Sequence, residues 1–162
     1  MLAECRSLDL RLIPPLPGLR SLGMVDTSIT SVHGIERFDS LETLEILHAP
    51  RLTSIDGLAA LRRLRRLELA GCKRLDTLQP VFALTELGFL NASEIGGRPS
   101  LRGIERLERL EEIDFAATVV GDGDLSPLLR LARLARVSFD DRPHYSHTRA
   151  EILRSLPSAK TE

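Results

Sequence analysis

A pair of apolar residues two positions apart returns along this chain at a nearly constant interval. It appears as Leu22-Met24, Leu44-Ile46, Leu67-Leu69, Leu90-Ala92, Ile113-Phe115 and Val137-Phe139, with first members 22, 23, 23, 23 and 24 residues apart. Three and six residues ahead of each pair stand two more apolar residues, from Leu16 and Leu19 in the first unit to Leu131 and Leu134 in the last. A second ladder follows the pairs: Ile29, Val32, Ile35, then Leu52, Ile55, Leu58, then Leu75, Leu78, Val81, then a shortened Leu101, Ile104. A unit this short cannot bury its apolar edge alone. Units in phase bury it by stacking, which makes the chain a solenoid. The ladder also accounts for a composition of 31 leucines in 162 residues.

The spacing within a unit tells which elements are stacked. Taken alone, Leu61-Arg-Arg-Leu64-Arg-Arg-Leu67 reads as a basic amphipathic helix facing a membrane or a partner helix. A strict spacing of three drifts off a helix face, however, and it changes to two at Leu67-Glu-Leu69, where a short strand begins. The same change recurs in every unit. The expected fold is α/β: a curved parallel sheet of about six or seven short strands, short helical or irregular convex segments, and a C-terminal capping helix.

The segments Ile29-Thr-Ser-Val-His-Gly-Ile-Glu-Arg-Phe38 and Leu52-Thr-Ser-Ile-Asp-Gly-Leu-Ala-Ala-Leu61 resemble the leucine-rich-repeat family, in its short internalin-like or SDS22-like class. Leu78-Gln-Pro-Val-Phe-Ala-Leu84 and Asp124-Leu-Ser-Pro-Leu-Leu-Arg-Leu-Ala-Arg-Leu134 match the proline-containing version of that unit. The resemblance covers about residues 16 to 139. It implies a protein-binding role as regulator, adaptor or inhibitor, although the family is defined by architecture rather than by chemistry. One column departs from the family pattern. Where the family often places Asn, this chain has Thr27, Ala49, Cys72, Ile95 and Thr118, so weaker side-chain ties between turns are expected. Cys72 reads as a small core residue.

The ends of a solenoid need covers. The chain is read as one domain over 1–162, with a front cap at 1–15, repeats at 16–139 and a rear cap and tail at 140–162. Leu8-Asp-Leu10-Arg-Leu12 alternates like one more strand, in a unit shortened to 14 residues before Leu22, and Pro14, Pro15 and Pro17 then turn the chain. At the rear, Thr148-Arg-Ala-Glu151 reads as a capping box opening a helix whose Ile152, Leu153 and Leu156 cover the last repeat before Pro157. Ser158 to Glu162 are expected to fray. The stretch Ile95-Gly-Gly-Arg-Pro-Ser100 interrupts the ladder, and its glycines suggest an unusual backbone path. Gly121-Asp-Gly-Asp124 shares part of a calcium-loop pattern but lacks its length and its distant Glu, so it reads as a turn.

A net charge of −1 and a pI near 6.4 give no reason to expect nucleic acid or an anionic membrane as partner. Two cysteines, Cys5 and Cys72, make no disulfide framework, which favours a reducing cytoplasm. No apolar run suggests a signal peptide or a membrane span. Arg outnumbers Lys 20 to 2, the codon bias of a GC-rich bacterial genome. His144 and His147 have only Glu151 as a further ligand and read as part of the cap, while His33 and His48 read as exposed turn residues. No metal, no cofactor and a monomer are expected. Glu111-Glu112 and Asp140-Asp141 pair carboxylates without a cleft around them, and no nucleophile or phosphate-binding motif appears, so an enzyme is not expected.

What remains is the surface the strands build. Alternate residues leave the ladder on its concave side, giving a face roughly 25 Å long over six strands. Glu45, Glu68, Glu112, Asp114 and Asp140 stand there against Arg66 and Arg136. Leu47 and Phe89 are large apolar residues that a solvated sheet has no need to display, and an aromatic among polar neighbours is how interfaces are anchored. The expected partner-binding set is Glu45, Leu47, Arg66, Glu68, Phe89, Asn91, Glu112, Asp114 and Arg136, facing a protein with a basic surface around an apolar pocket. Arginines flanking the strands, from Arg62 to Arg133, read as a solvated rim paired with Glu105, Glu108 and Glu111. A structural segment of a larger assembly is the alternative.

Overall fold

The computed structural model describes residues 2–3, 9–14 and 16–156. Seven parallel strands form one sheet in chain order: β1 (Leu2–Ala3), β2 (Ser21–Val25), β3 (Thr43–Leu47), β4 (Arg66–Ala70), β5 (Phe89–Asn91), β6 (Glu112–Asp114) and β7 (Arg136–Ser138). Neighbours pair one repeat apart, Leu22 opposite Leu44, Leu44 opposite Leu67, Leu67 opposite Leu90, then Ile113 and Val137. The sheet register is therefore the sequence interval itself. Burial alternates along each described strand, with ladder members inside and intervening residues on the open face.

The returns between strands are 3₁₀ helices, at Ile35–Arg37, Asp56–Ala60, Gln79–Ala83, Ile104–Arg106 and Ser126–Arg130. Apolar residues three apart, such as Ile29, Val32 and Ile35, lead into each return, and a tight helix of three residues per turn then fits the short span left before the next strand. These three apolar residues are buried. A short polar side chain precedes each return and accepts the backbone N–H two residues on. This column is Asp9, Ser31, Ser54, Thr77, Ser100 and Asp124, at 3.0–3.4 Å.

That column corrects the reading of the front end. Leu10–Leu12 is a 3₁₀ helix capped by Asp9, not a strand. The strand lies earlier, with Leu2 opposite Met24. Asp9 stands 22 residues before Ser31, so the front unit keeps full phase instead of being shortened. Its cover is thin: Leu12 is 82% exposed and Leu16 45%, whereas Phe38, the counterpart of Leu16, is buried. Residues 1, 4–8 and 15, including Cys5, Leu8 and Pro15 of the expected cap, lie outside the described residues.

At the rear, α1 (Arg149–Ser155) opens with the expected capping box between Thr148 and Glu151. Ile152 and Leu156 close the core, but Leu153 points away and is 39% exposed. Pro157 and the tail fall outside the described residues. Ahead of α1, residues 144–146 act as the next turn. The Tyr145 hydroxyl accepts the Val120 N–H at 3.0 Å, the Ser146 N–H donates to the Gly123 carbonyl at 2.8 Å, and Ser146 Oγ accepts the Leu125 N–H at 2.9 Å. Tyr145 also ends an aromatic stack: Phe115 and Phe139 lie 4.8 Å apart, and Tyr145 meets Phe139 edge-on at 6.0 Å.

Two further expectations change. Gly96 and Gly97 do not take a left-handed path. They permit close stacking, because a Cβ at Gly96 would lie 2.0 Å from the Lys73 carbonyl oxygen and one at Gly97 2.3 Å from Asp76 Cα. In the column where the family often has Asn, Thr118 is no weak tie. Its buried hydroxyl donates to the Ala92 carbonyl and accepts the Ile95 N–H, both at 2.8 Å. Cys72 fills the same place less strongly, with Sγ 3.8 Å from the Ile46 carbonyl, and burial pushes its thiol up to about 11. Among the described residues no helix is long and apolar enough to cross a membrane.

Candidate protein-binding face

Every residue of the expected binding set reaches the open face, but the set does not act as one patch. Phe89 is half-buried on β5, and the Arg66 guanidinium of the paired strand lies 3.7 Å above its ring. Arg66 also donates from Nε to Glu68 Oε1 at 3.1 Å. The apolar anchor is therefore a stack of ring, guanidinium and carboxylate rather than a bare aromatic. On the other side of Phe89, Glu112 of β6 is ion-paired with Arg136 of β7. Pairing holds that guanidinium in its charged form, which raises its pKa further. Both face arginines are thus spent on face acids.

The remaining acids differ in how freely they meet solvent. Asp114 Oδ1 accepts the Ala116 N–H at 2.8 Å and Asn91 Oδ1 the Ser93 N–H at 3.0 Å, so both side chains bend back onto their own strand ends. Asp140 Oδ2 takes the Ala117 N–H at 2.8 Å. Glu45, half-buried beside Gly23, has no such bond among the described residues. Leu47 does not join Phe89. It sits on β3 between Val25 of β2 and Ala70 of β4. Val25 and Ala70 complete a second, smaller apolar strip that the choice of site residues passed over. The alternation contained the signal, since both occupy outward positions.

A column at the strand exits was also missed. Asp26, His48, Glu94 and Ala117 adopt left-handed backbone with φ of 51–56°, and Gly71 does so at 73°. Their N–H groups reach across to the next repeat, from Asp26 to Leu47, His48 to Ala70, Gly71 to Ser93 and Glu94 to Ala116. The residue types are too mixed to mark the turn in sequence. His33 and His48 are exposed as expected. His144 Nε2 lies 3.2 Å from the Val120 carbonyl and His147 Nδ1 2.9 Å from Ser146 Oγ, while the Glu151 carboxylate accepts both the N–H and the hydroxyl of Thr148. These groups serve the rear cap. The rim arginines pair partly as expected: Arg130 with Glu105 at 3.9 Å, whereas Arg109 pairs with Glu86 at 2.6 Å instead of Glu108 or Glu111.

No protein-family model matches the chain, and no curated protein does. Its likeness is to solved structures. Internalin C2 of Listeria monocytogenes superposes with a TM-score of 0.58 at 20% identity, over 85% of this chain and 58% of that one. A leucine-rich-repeat protein of Leptospira interrogans gives 0.57 at 15% identity, over 80% of this chain and 39% of that one. This chain has the leucine-rich-repeat fold. A plant peptide hormone receptor, RGFR1, in complex with RGF2, is similar at a TM-score of 0.50 and 21% identity, covering 74% of this chain and 24% of the receptor. The leucine-rich-repeat chain described here spans 58% or less of each of these structures.

Proposed function

We propose that this leucine-rich-repeat chain is a protein-binding module. It engages one partner through the open face of its sheet and acts as a regulator, an adaptor or an immunity-type inhibitor, as a monomer in a reducing cytoplasm. The observation that carries the reading is Phe89, a large aromatic held on the exposed face of a central strand under the Arg66 guanidinium. Such a side chain adds nothing to the core, and central aromatic and arginine residues dominate interface energetics. The unneutralised acids Glu45 and Asp114 favour a basic partner surface around the pocket that receives Phe89, and they steer its approach. The complex of the plant receptor with RGF2 lends support, since there the same fold holds a partner.

Affinity capture from the source cell's lysate, with mass spectrometry, identifies the partner, and binding kinetics of variants test the face. Phe89→Ala should weaken binding by about 2 kcal/mol or more, chiefly through faster dissociation, and leave the fold intact. Charge reversal at Glu45, Glu68 and Asp114 should slow association, with a difference that shrinks as salt rises. A partner that binds both sets of variants like wild type removes this reading, and an empty capture favours a structural segment.

A further inference from the structure

The open face is polarised along the strand direction. On the side where the chain enters the strands, Arg63, Arg109 and Arg133 stand in one row against a single acid, Glu86. Across the face, the row through the strand centres carries Glu45, Glu68 and Asp114 and no cation. A partner lying along the strands therefore meets positive charge first and negative charge about five residues later, at roughly 3.3 Å per residue.

One position on the basic side lacks a side chain. The residues two places before each ladder pair are Arg20, Glu42, Arg65, Gly88, Glu111 and Ala135, so Gly88 opens a gap between two long charged residues. The result is a depression walled by Arg65, Glu86, Arg109, Glu111 and Arg133. The backbone does not need glycine here. Gly88 has no left-handed φ, and a Cβ on it would make ordinary contacts with the Arg109 and Arg65 carbonyl oxygens, at 3.7 and 3.8 Å. Its one structural effect is the space it leaves. Arg109 is already held by Glu86, whereas the Arg65 and Arg133 side chains have no hydrogen bond or ion pair among the described residues.

We propose that the depression over Gly88 seats an acidic side chain of an extended partner segment, gripped by Arg65 and Arg133. The segment runs on past Phe89 and lays a basic residue over Asn91, between Glu68 and Asp114. Asn91 is neutral and stands between Glu68 and Asp114, so a cation there has a carboxylate on the strand to either side: Glu68 shares its Oε1 with Arg66, and Asp114 keeps Oδ2 beyond the bond of its Oδ1 to the Ala116 N–H. Acid and base in the partner are then about two to four positions apart. This proposal rests on the reading of the face as protein-binding.

The test uses a random-sequence peptide library displayed on phage and selected on the full chain. Selected peptides should carry an acid followed or preceded by a base at that spacing. They should bind Gly88→Leu, which fills the depression, about ten-fold more weakly or worse, and the double variant Arg65→Ala/Arg133→Ala likewise. Gly88→Leu should keep the wild-type denaturation midpoint, and Gly88→Glu, which adds a carboxylate to the gap, should block the same peptides. Peptides that bind Gly88→Leu and the double arginine variant like wild type but lose binding to Phe89→Ala overturn the seat and leave the face reading standing. Peptides indifferent to all of these variants overturn both. A library that yields no binder overturns the seat, and the face reading then stands or falls with the captured partner.

Discussion

In β2, β3 and β4 five residues lie in each strand, whereas β5, β6 and β7 stop after three, although the repeat interval hardly changes. Between β3 and β4 on one side and β5 and β6 on the other, the difference traces to the second outward position. In β3 and β4 it is Glu45 and Glu68, whose side chains are too long to fold back on the backbone two residues ahead. In β5 and β6 it is Asn91 and Asp114, which capture the N–H groups of Ser93 and Ala116. With Ala116 occupied, the Ala92 carbonyl is taken by the Thr118 hydroxyl instead. The later half thus exchanges backbone ladder bonds for side-chain ones and adds the Phe115, Phe139 and Tyr145 stack. One methylene, Asp against Glu, decides how far a strand runs. It also decides whether the acid bonds its own backbone.

The comparison breaks first if the two halves do not share one core. Leu67→Ala should cost ~2–5 kcal/mol and Phe115→Ala ~3–5 kcal/mol in chemical denaturation, against about 0.5 kcal/mol or less for Glu68→Ala on the open face. Equal losses at Leu67 and Glu68 would mean that the strand phase is wrong. The next largest effect is expected at Thr118. Thr118→Val keeps the shape but strands the buried Ile95 N–H and Ala92 carbonyl, for a loss of about 1–3 kcal/mol. Cys72→Ala, which breaks one long contact, should cost less. If the order reverses, side-chain ties do not distinguish the later half.

Smaller effects sharpen the account of strand length. Asp114→Glu should return the Ala116 N–H to the ladder, shift stability by only about 0.5 kcal/mol, and raise the protection of that amide from hydrogen exchange. An unchanged exchange rate would show that something else ends β6. The smallest effect is expected at the two ends under acid. The Arg11 side chain and N–H hold the Asp9 carboxyl down to about 2 from 3.8, and the N–H and hydroxyl of Thr148 lower that of Glu151 from 4.5. Because the folded values are depressed, both contributions are complete above the unfolded values and are lost as pH falls through the folded ones. Protection from hydrogen exchange, relative to the unfolded chain at the same pH, should fall near residues 9–12 and 148–152 as pH drops below about 4, while Cys72 in the middle stays closed to thiol reagents. Loss of Cys72 protection at the same pH would mean that acid opens the whole solenoid rather than its ends.

Much of this was legible from spacing alone. The interval of 22 to 24 residues set the register of β2 to β7, and the alternation of Leu67-Glu68-Leu69 set which side chains leave the core. The front unit was misread because Leu8-Asp-Leu10-Arg-Leu12 alternates as a strand would. The phase of Asp9 with Ser31 and Ser54 was the better guide, since the capping side chain, not the alternation, recurs in every unit. The left-handed corners at His48, Glu94 and Ala117 left no mark, because stacking imposes that conformation on residues that do not prefer it.

The sequence by itself determined the solenoid, its strand order and its inner and outer faces, because those follow from a period, and a period belongs to the chain. Only the tertiary structure decided which outward residues are free. Glu45 makes no hydrogen bond or ion pair among the described residues, Glu68 and Glu112 are held by Arg66 and Arg136, Asp114 turns to its own backbone, and Phe89 lies beneath a guanidinium. Those choices depend on distances between neighbouring repeats of a few ångströms and on side-chain length, which a linear pattern does not contain.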